Sequence, residues 1–545
     1  MTPIDRADAR TPARWLAQKL SAWRAVAAHA LAPEKAPVPA GWFTDAEDAA
    51  YDATFAGDDP RRIDDATWRD LDGRALLQRL AGDAGIHARQ WLTHRLRRGA
   101  TIECRGERPA WLGADADADR LLADTARARL QLRRQDTDLT GVLFRDEAVR
   151  LPAWMAHLRW AKGLWVVAAL ALLTGHVGLA AALFAGYLGV LGGVEIRFYN
   201  RAQAWKRQRR AVITMLRGAV ELGAAAHRHP HPALAQMGER HDDARRLLAA
   251  LDLDALETKA TSAEYLNLFT LQEYAGAPAR RAVLEESLPA LRALYAAMAE
   301  CEGRLCLVAW LRGPRRACWT RVADERTLHA VDLRNPLLDD ALPVSIALHG
   351  QGALLTGENG VGKSTLLRAV GLNLLLARAF GFCHAAEAAL PLQTVHSSIV
   401  HEDSTAVGDS LYMAEMRRAK ALLDAAGRPG GAVFLVDEIF RGTNHLESVA
   451  CAGAVLHRLA AAGPVLVSTH NAVLAPLMRA RLAPLRVTRT REGALALEPG
   501  VLQEPNGIAM MARYAIDDAV RADARRVHDW FAGHVATPAT FPALD

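Results

Sequence analysis

Between residues 163 and 194 the chain carries no Asp, Glu, Lys or Arg, reading GLWVVAALALLTGHVGLAAALFAGYLGVLGGV. One helical crossing of a bilayer takes about 20 apolar residues, so this run is long for one span and short for two. Thr174-Gly175-His176 offers an easy turn, which predicts two short helices joined as a hairpin. Arg159 and Lys162 precede the run, and Arg197, Arg201, Lys206, Arg207, Arg209 and Arg210 follow it. Basic residues collect on the cytoplasmic side, so this distribution places both ends inside. Trp160, Trp165, Tyr199 and Trp205 fit interfacial anchors. The competing reading is a buried hairpin of a soluble domain. Soluble helices rarely run this far without a charged face, which favours the membrane.

Elsewhere the spacing is helical up to about residue 320. Residues 12–31 form an amphipathic stretch with Trp15, Leu16, Leu20 and Trp23 on one face. Residues 35–65, rich in Pro, Gly and Asp, read as loop. Helical periodicity returns over 67–99, 115–135, 203–226, 239–258 and 281–301. After residue 330 short apolar runs alternate with helices, the pattern of a mainly parallel α/β sheet. The expected division is a helical N-terminal region (1–155), the apolar hairpin with basic flanks (156–210), a helical core or lever-like region (211–325), an α/β domain (326–510) and a helical tail (511–545).

Composition changes this picture little. At 545 residues, two to four structural units are expected. A charged fraction of 23% beside 51% hydrophobic residues excludes a disordered chain. A net charge of +5 permits contact with nucleic acid or anionic lipid without demanding it. Six cysteines, at 104, 301, 306, 318, 383 and 451, form no Cys-x-x-Cys pair, so no zinc or dithiol motif is readable and reduced thiols are expected. His227-Arg228-His229-Pro230-His231-Pro232 is read as a loop rather than a metal site. Residues 1–6 begin no apolar segment, so a secretory signal is not expected.

The α/β part carries the chemistry. Gly357-Glu358-Asn359-Gly360-Val361-Gly362-Lys363-Ser364 fits G-x-x-x-x-G-K-[ST], and Thr365 opens a helical stretch behind it. An apolar run precedes the motif, giving the strand–loop–helix context it requires. Glycines let the loop curl so that backbone N–H groups and the helix N-terminus face phosphates. Lys363 is expected to reach the β- and γ-phosphates of ATP, and Ser364 to ligate Mg²⁺. Downstream, Ala432–Val436 is an apolar strand ending in Asp437-Glu438. Asp437 is expected to support Mg²⁺, and Glu438 to orient or deprotonate the attacking water. His470 ends a third apolar run, where ligands bind in open α/β sheets, and is a candidate sensor of the γ-phosphate.

The order and wording of these pieces resemble the ATPase of the MutS family of DNA mismatch-repair proteins. After the phosphate loop come Gly408-Asp409-Ser410-Leu411-Tyr412-Met413-Ala414-Glu415-Met416, then Asp437-Glu438-Ile439-Phe440-Arg441-Gly442-Thr443-Asn444, then Ser468-Thr469-His470-Asn471. The Leu-Ser-Gly-Gly-Gln signature of transporter-type ATPases is absent. The resemblance implies an α/β P-loop ATPase domain of the MutS/ABC type that pairs into a homodimer. Ser410 matches the family serine that reaches across the dimer to the partner's γ-phosphate. Arg441-Gly442-Thr443 matches the loop linking the two sites. Leu333-Arg334-Asn335-Pro336 is similar to the family's His-Pro loop, with Asn for His. Glu358 stands where the family usually has Pro, and Val361 where it has Gly. No Phe-x-Glu mismatch wedge occurs in residues 1–100.

Three functions are therefore expected in competition. The family implies an ATP-gated dimeric clamp related to DNA mismatch repair, with DNA as partner. The hairpin points to a membrane-bound ATPase switch acting on a protein or lipid, its ATPase domain cytoplasmic and anchored at the inner membrane. A nucleotide-binding scaffold without turnover is the third, disfavoured by the intact Lys363, Ser364, Asp437 and Glu438.

Overall fold

A computed structural model describes residues 37–39, 42–55, 59–99, 106–251, 271–314, 316–399, 411–491, 493–502 and 517–535. The helix expected over 12–31 and the signature residues Gly408, Asp409 and Ser410 lie outside these residues. The chain divides into two compact units. One gathers residues 1–50, 83–88 and 119–305, and the other 51–82, 89–118 and 306–545.

The first unit is helical. Ala161–Leu173 and Val177–Arg228 form the hairpin, with the turn at Thr174-Gly175-His176. Gly175 adopts φ +80°, a conformation that costs glycine nothing. Thr174 closes the first helix, its N–H and Oγ1 both donating to the Leu170 carbonyl. Two short helices were expected, but the second runs for 52 residues. Its charged half, from Glu195 onward, contains no proline to stop it. That half also buries Val212, Met215, Leu216, Ala219 and Leu222 in the unit's core. The apolar half behaves oppositely. Its most apolar 18-residue window is only 17% buried, and in the first helix Val166 and Leu173 are 60% and 83% exposed. The hairpin is therefore not core packing within this unit. Where the long helix leaves the apolar segment, Val194, Phe198 and Ala202 pack with Met155, Leu158, Leu271 and Tyr274. The helix expected over 281–301 extends to Gln272–Leu311.

The second unit is built on a six-stranded sheet. Its strands come from a series of twelve among the described residues: β1 Cys318–Trp319, β2 Arg321–Val322, β3 Thr327–Leu333, β4 Val344–His349, β5 Gly352–Gly357, β6 Phe382–Cys383, β7 Glu387–Leu390, β8 Thr394–Ser398, β9 Ala432–Asp437, β10 Val465–Ser468, β11 Leu482–Arg489 and β12 Leu495–Pro499. The large sheet has the order β12-β11-β5-β10-β9-β8. It is parallel from β11 to β8, with β12 antiparallel at one edge. Strands β5 and β10 are buried throughout, as their unbroken apolar wording requires. A second sheet, β2-β7-β3-β4, and the pair β1–β6 complete the unit.

Three features depart from the linear reading. Residues 35–65, read as loop, contain the helix Asp45–Thr54. The periodicity of 67–99 is cut into helices Asp65–Asp70, Gly73–Ala81 and Ile86–Arg98. Left-handed turns at Asp72 (φ +54°) and Gly82 (φ +56°) break it. Residues 51–82 and 89–118, expected within a separate N-terminal region, belong instead to the α/β unit. Polar contacts at the β8 edge explain why. Asp70 accepts hydrogen bonds from Ser397 Oγ (2.7 Å) and the Ile399 N–H (2.9 Å). Asp64 caps its own helix through the Thr67 N–H at 2.7 Å and pairs with Arg418 at 3.1 Å. Leu71 packs where Gly371 leaves no side chain, since a Cβ there would lie 2.4 Å from it.

Candidate functional site

Strand β5 ends at Gly357, whose position admits no side chain: a Cβ would lie 2.9 Å from the Val487 carbonyl oxygen. The chain then loops through the exposed Glu358, Asn359 and Gly360 and enters helix Lys363–Phe380. Gly360 (φ +75°) and Gly362 (φ +115°) take left-handed conformations that reverse the chain between strand and helix. Val361 is buried, so the branched residue at this position turns inward rather than crowding the loop mouth. Thr365 is exposed in the first helical turn. The helix thus starts at the C-terminal ends of the parallel strands, with its N-terminal dipole directed at the loop.

Four of the expected side chains converge on Lys363. Lys363 is buried, and its Nζ donates to the carbonyls of Gly357 (2.9 Å) and Glu358 (3.1 Å). His470 Nε2 lies 3.5 Å from the same Nζ. His470 in turn pairs with Glu438 Oε1 at 2.8 Å, and Arg441 lies 3.3 Å from the other oxygen. Ser364 Oγ donates to Asp437 Oδ2 at 2.5 Å. Ser468, not singled out among the site residues from sequence, donates its hydroxyl to Asp437 Oδ1. Its signal was positional: β10 pairs in parallel with β9, and Ser468 stands opposite Asp437. Ser410 lies outside the described residues.

The electrostatics follow from this packing. Burial lowers the Lys363 pKa, while Glu438 and Asp437 pull it back up. The hydrogen bond from His470 holds Glu438 below the ordinary carboxylate range, against desolvation and with help from Arg441 and Lys363. Glu438 is therefore an anion at neutral pH. Ser364 Oγ and the Asp437 carboxylate form a hard oxygen pair beside the loop. Such a set suits Mg²⁺, which takes one or two protein oxygens and fills its octahedron with water and phosphate.

The turn after β9 is strained at named positions. Glu438 (φ +50°) and Phe440 (φ +62°) are both left-handed, each at a cost of about 1 kcal/mol or more. The Glu438 N–H is held by the Ser468 carbonyl at 2.9 Å, and Phe440 is buried. Beyond them, the buried carboxylate of Glu415 accepts the backbone N–H groups of Arg441 (3.0 Å) and Gly442 (3.1 Å). Gly442 lies against the chain of Tyr412, where a Cβ would come within 2.7 Å of its nitrogen. The segment 411–416 is thereby clamped to the loop that follows the acid pair. Hydrogen bonds to a charged group contribute about 1.5–3 kcal/mol each. Glu415→Ala is therefore expected to speed hydrogen exchange of the Arg441 and Gly442 amides by at least ~10-fold. Unchanged exchange at both amides would show that the carboxylate does not hold the loop.

Residues 353–529 match the family model for MutS domain V. The DNA mismatch repair protein MutS of Thermus aquaticus is 34% identical over 204 residues, covering 35% of this chain and 25% of that protein. The protein of the same name from Natronomonas pharaonis is 33% identical over 183 residues, 31% of this chain and 21% of that one. The one from Anaeromyxobacter sp. strain K is 31% identical over 260 residues, 44% and 29% of the two chains. The chain thus spans less than a third of the length of these relatives. The similarity covers β5, the loop, the acid pair and His470 together, so residues 353–529 form a region similar to domain V of MutS proteins.

Proposed function

We propose that this protein is an ATPase that binds ATP on the loop 357–365 and hydrolyses it with Mg²⁺. The observation that carries this reading is the convergence of Ser364 on Asp437 (2.5 Å) and of His470 on Glu438 (2.8 Å) around one buried lysine. Lys363 exchanges its two backbone carbonyls for phosphate oxygens. Ser364 and Asp437 hold the metal, which when bound neutralises charge developing on the phosphates. Glu438, an anion, orients and accepts a proton from the attacking water. His470 keeps that carboxylate in place and stands 3.5 Å from Lys363 Nζ, where it would sense the γ-phosphate of bound ATP. By the family resemblance, Ser410 completes the site of a second copy, so that ATP closes a homodimer.

The family resemblance makes this cycle an ATP-gated clamp related to DNA mismatch repair, with DNA held or released by the dimer. A second reading rests on one specific observation, the exposed apolar hairpin. Under it, the same ATPase works from the cytoplasmic face of a membrane on a protein or lipid.

Lys363→Ala separates nucleotide binding from everything else. The substitution removes the only ammonium described at the loop, and equilibrium titration with Mg·ATP is expected to lose at least ~100-fold in affinity, roughly two charge-assisted hydrogen bonds. Equal affinity in parent and variant would exclude the loop as the phosphate site. DNA binding by the detergent-purified protein, with and without ATP, then distinguishes the two readings. Contacts to several phosphates give log K a steep negative slope against log salt, whereas a protein or lipid switch gives none.

A further inference from the structure

Strand β1 pairs antiparallel with β6, and the register sets Cys318 directly opposite Cys383. The two sulfur atoms are 3.7 Å apart, and both cysteines are free. The ladder favours bridging. The Thr320 N–H donates to the Gly381 carbonyl at 2.9 Å, one pair before the Trp319–Phe382 pair. Antiparallel pairs alternate, so Cys318–Cys383 is again a hydrogen-bonding pair, with a Cα separation of about 5.5 Å. A disulfide takes about 4.4–6.8 Å between Cα atoms, so a bridge is within reach of this pair.

We propose that Cys318 and Cys383 are a reversible redox site, oxidised to an intramolecular disulfide by hydroperoxides. The two thiols differ in the way such a site needs. Cys318 is only half buried, whereas Cys383 is fully buried beneath it. The hydrogen bond from the Cys383 thiol lowers the pKa of Cys318, and that of Cys383 is raised. Cys318 is therefore the thiol that meets an oxidant first. Its thiolate attacks one peroxide oxygen; the O–O bond breaks, and water leaves once a proton is taken up. Cys318 is now a sulfenic acid. Cys383 sulfur, giving up its proton, attacks the Cys318 sulfur, the S–O bond breaks and a second water leaves. Two thiols and one hydrogen peroxide thus yield one disulfide and two waters, the cysteines losing two electrons to the peroxide oxygens. A dithiol reductant reverses the step by exchange.

The bridge would connect two segments of the unit that follow different helices. Strand β1 follows the helix Gln272–Leu311, and β6 begins two residues after the end of the helix that opens at Lys363. Oxidation would therefore staple the segment that follows helix Gln272–Leu311 to the far end of the helix Lys363–Phe380.

The test uses the full chain in detergent with hydrogen peroxide as the only probe. The expected result is loss of two hydrogens in intact mass, a non-reducing peptide map that joins Cys318 to Cys383, and reversal by dithiothreitol. Cys318→Ser is expected to form no such linked peptide. Cys383→Ala is expected to stop at a Cys318 sulfenic acid that dimedone traps. A rise in melting temperature on oxidation of the parent, absent in Cys318→Ser, reports the staple without reference to ATP turnover. Should peroxide leave both thiols reduced, or oxidise Cys318 to a sulfonic acid or link it to another cysteine, the proposal fails.

Discussion

Glu438→Gln is expected to slow ATP hydrolysis by about 10²–10³-fold while leaving ATP affinity within about threefold of the parent, because positioned general-base catalysis contributes on this scale and its loss falls on turnover rather than binding. The reason is geometric. Glu438 lies at the end of β9, held by its own N–H to Ser468 and by His470 and Arg441 on its two oxygens. None of these partners belongs to the phosphate loop itself. The amide keeps the size of the carboxylate and can still accept from His470, so the turn at φ +50° has no new reason to change. What disappears is the negative charge that draws a proton from water. Phosphate release under single turnover, beside a direct measurement of ATP binding, separates the two effects. Turnover at the parental rate would assign the acid pair to another task. A parallel loss of binding would show that Glu438 supports the loop rather than the water.

Replacing Val166, Leu170, Leu172, Leu173, Leu179 and Leu188 together with Ser is expected to shift the protein from the membrane pellet to the soluble fraction. All six are exposed, although burying one such side chain is worth about 1.5–3 kcal/mol. Six of them exceed what basic flanks and interfacial aromatics would retain. In the parent, washing with alkaline carbonate is expected to leave the protein in the pellet. Length decides the form of insertion. Ala161–Leu173 has 13 residues and rises about 20 Å, short of a hydrocarbon core of about 30 Å. If inserted, the hairpin is expected to dip into one leaflet or to draw the segment Ala153–Trp160 in with it, with both termini on one side. Reporter fusions at the two ends read that topology. A parent soluble without detergent would assign the exposed apolar surface to a protein partner. Reporters on opposite faces would rule out the hairpin arrangement altogether.

The contrast between Lys363 and Glu415 shows what kind of information each level holds. The glycine-rich loop 357–365 is local. Its glycines, lysine and serine are contiguous, and their left-handed φ values and helix start follow from neighbours a few positions away. The acid pair and His470 were also legible, since each follows closely on an apolar run and a parallel sheet brings such ends to one edge. The turn at Thr174-Gly175-His176 belongs to the same class. Glu415, by contrast, reads as one more acid on a helix. Only folding brings it under the amides of Arg441 and Gly442, 26 and 27 positions away.

By itself, then, the sequence determined the elements whose causes are local: the hairpin turn, the strand–loop–helix, and the strand ends that carry Asp437, Glu438 and His470. Tertiary structure alone decided the rest. It made one 52-residue helix by burying the face beyond Glu195, while leaving the stretch before it exposed. It joined residues 51–82 to the α/β unit through Asp64 and Asp70, more than 300 positions from their partners in sequence. It also set Cys318 against Cys383, 65 positions apart, in a pairing that no Cys-x-x-Cys spacing announces. The physical reason is common to all three. Periodicity records which face of an element is apolar, but which surface covers that face, and which distant polar group meets a buried carboxylate or thiol, is settled only when the whole chain packs.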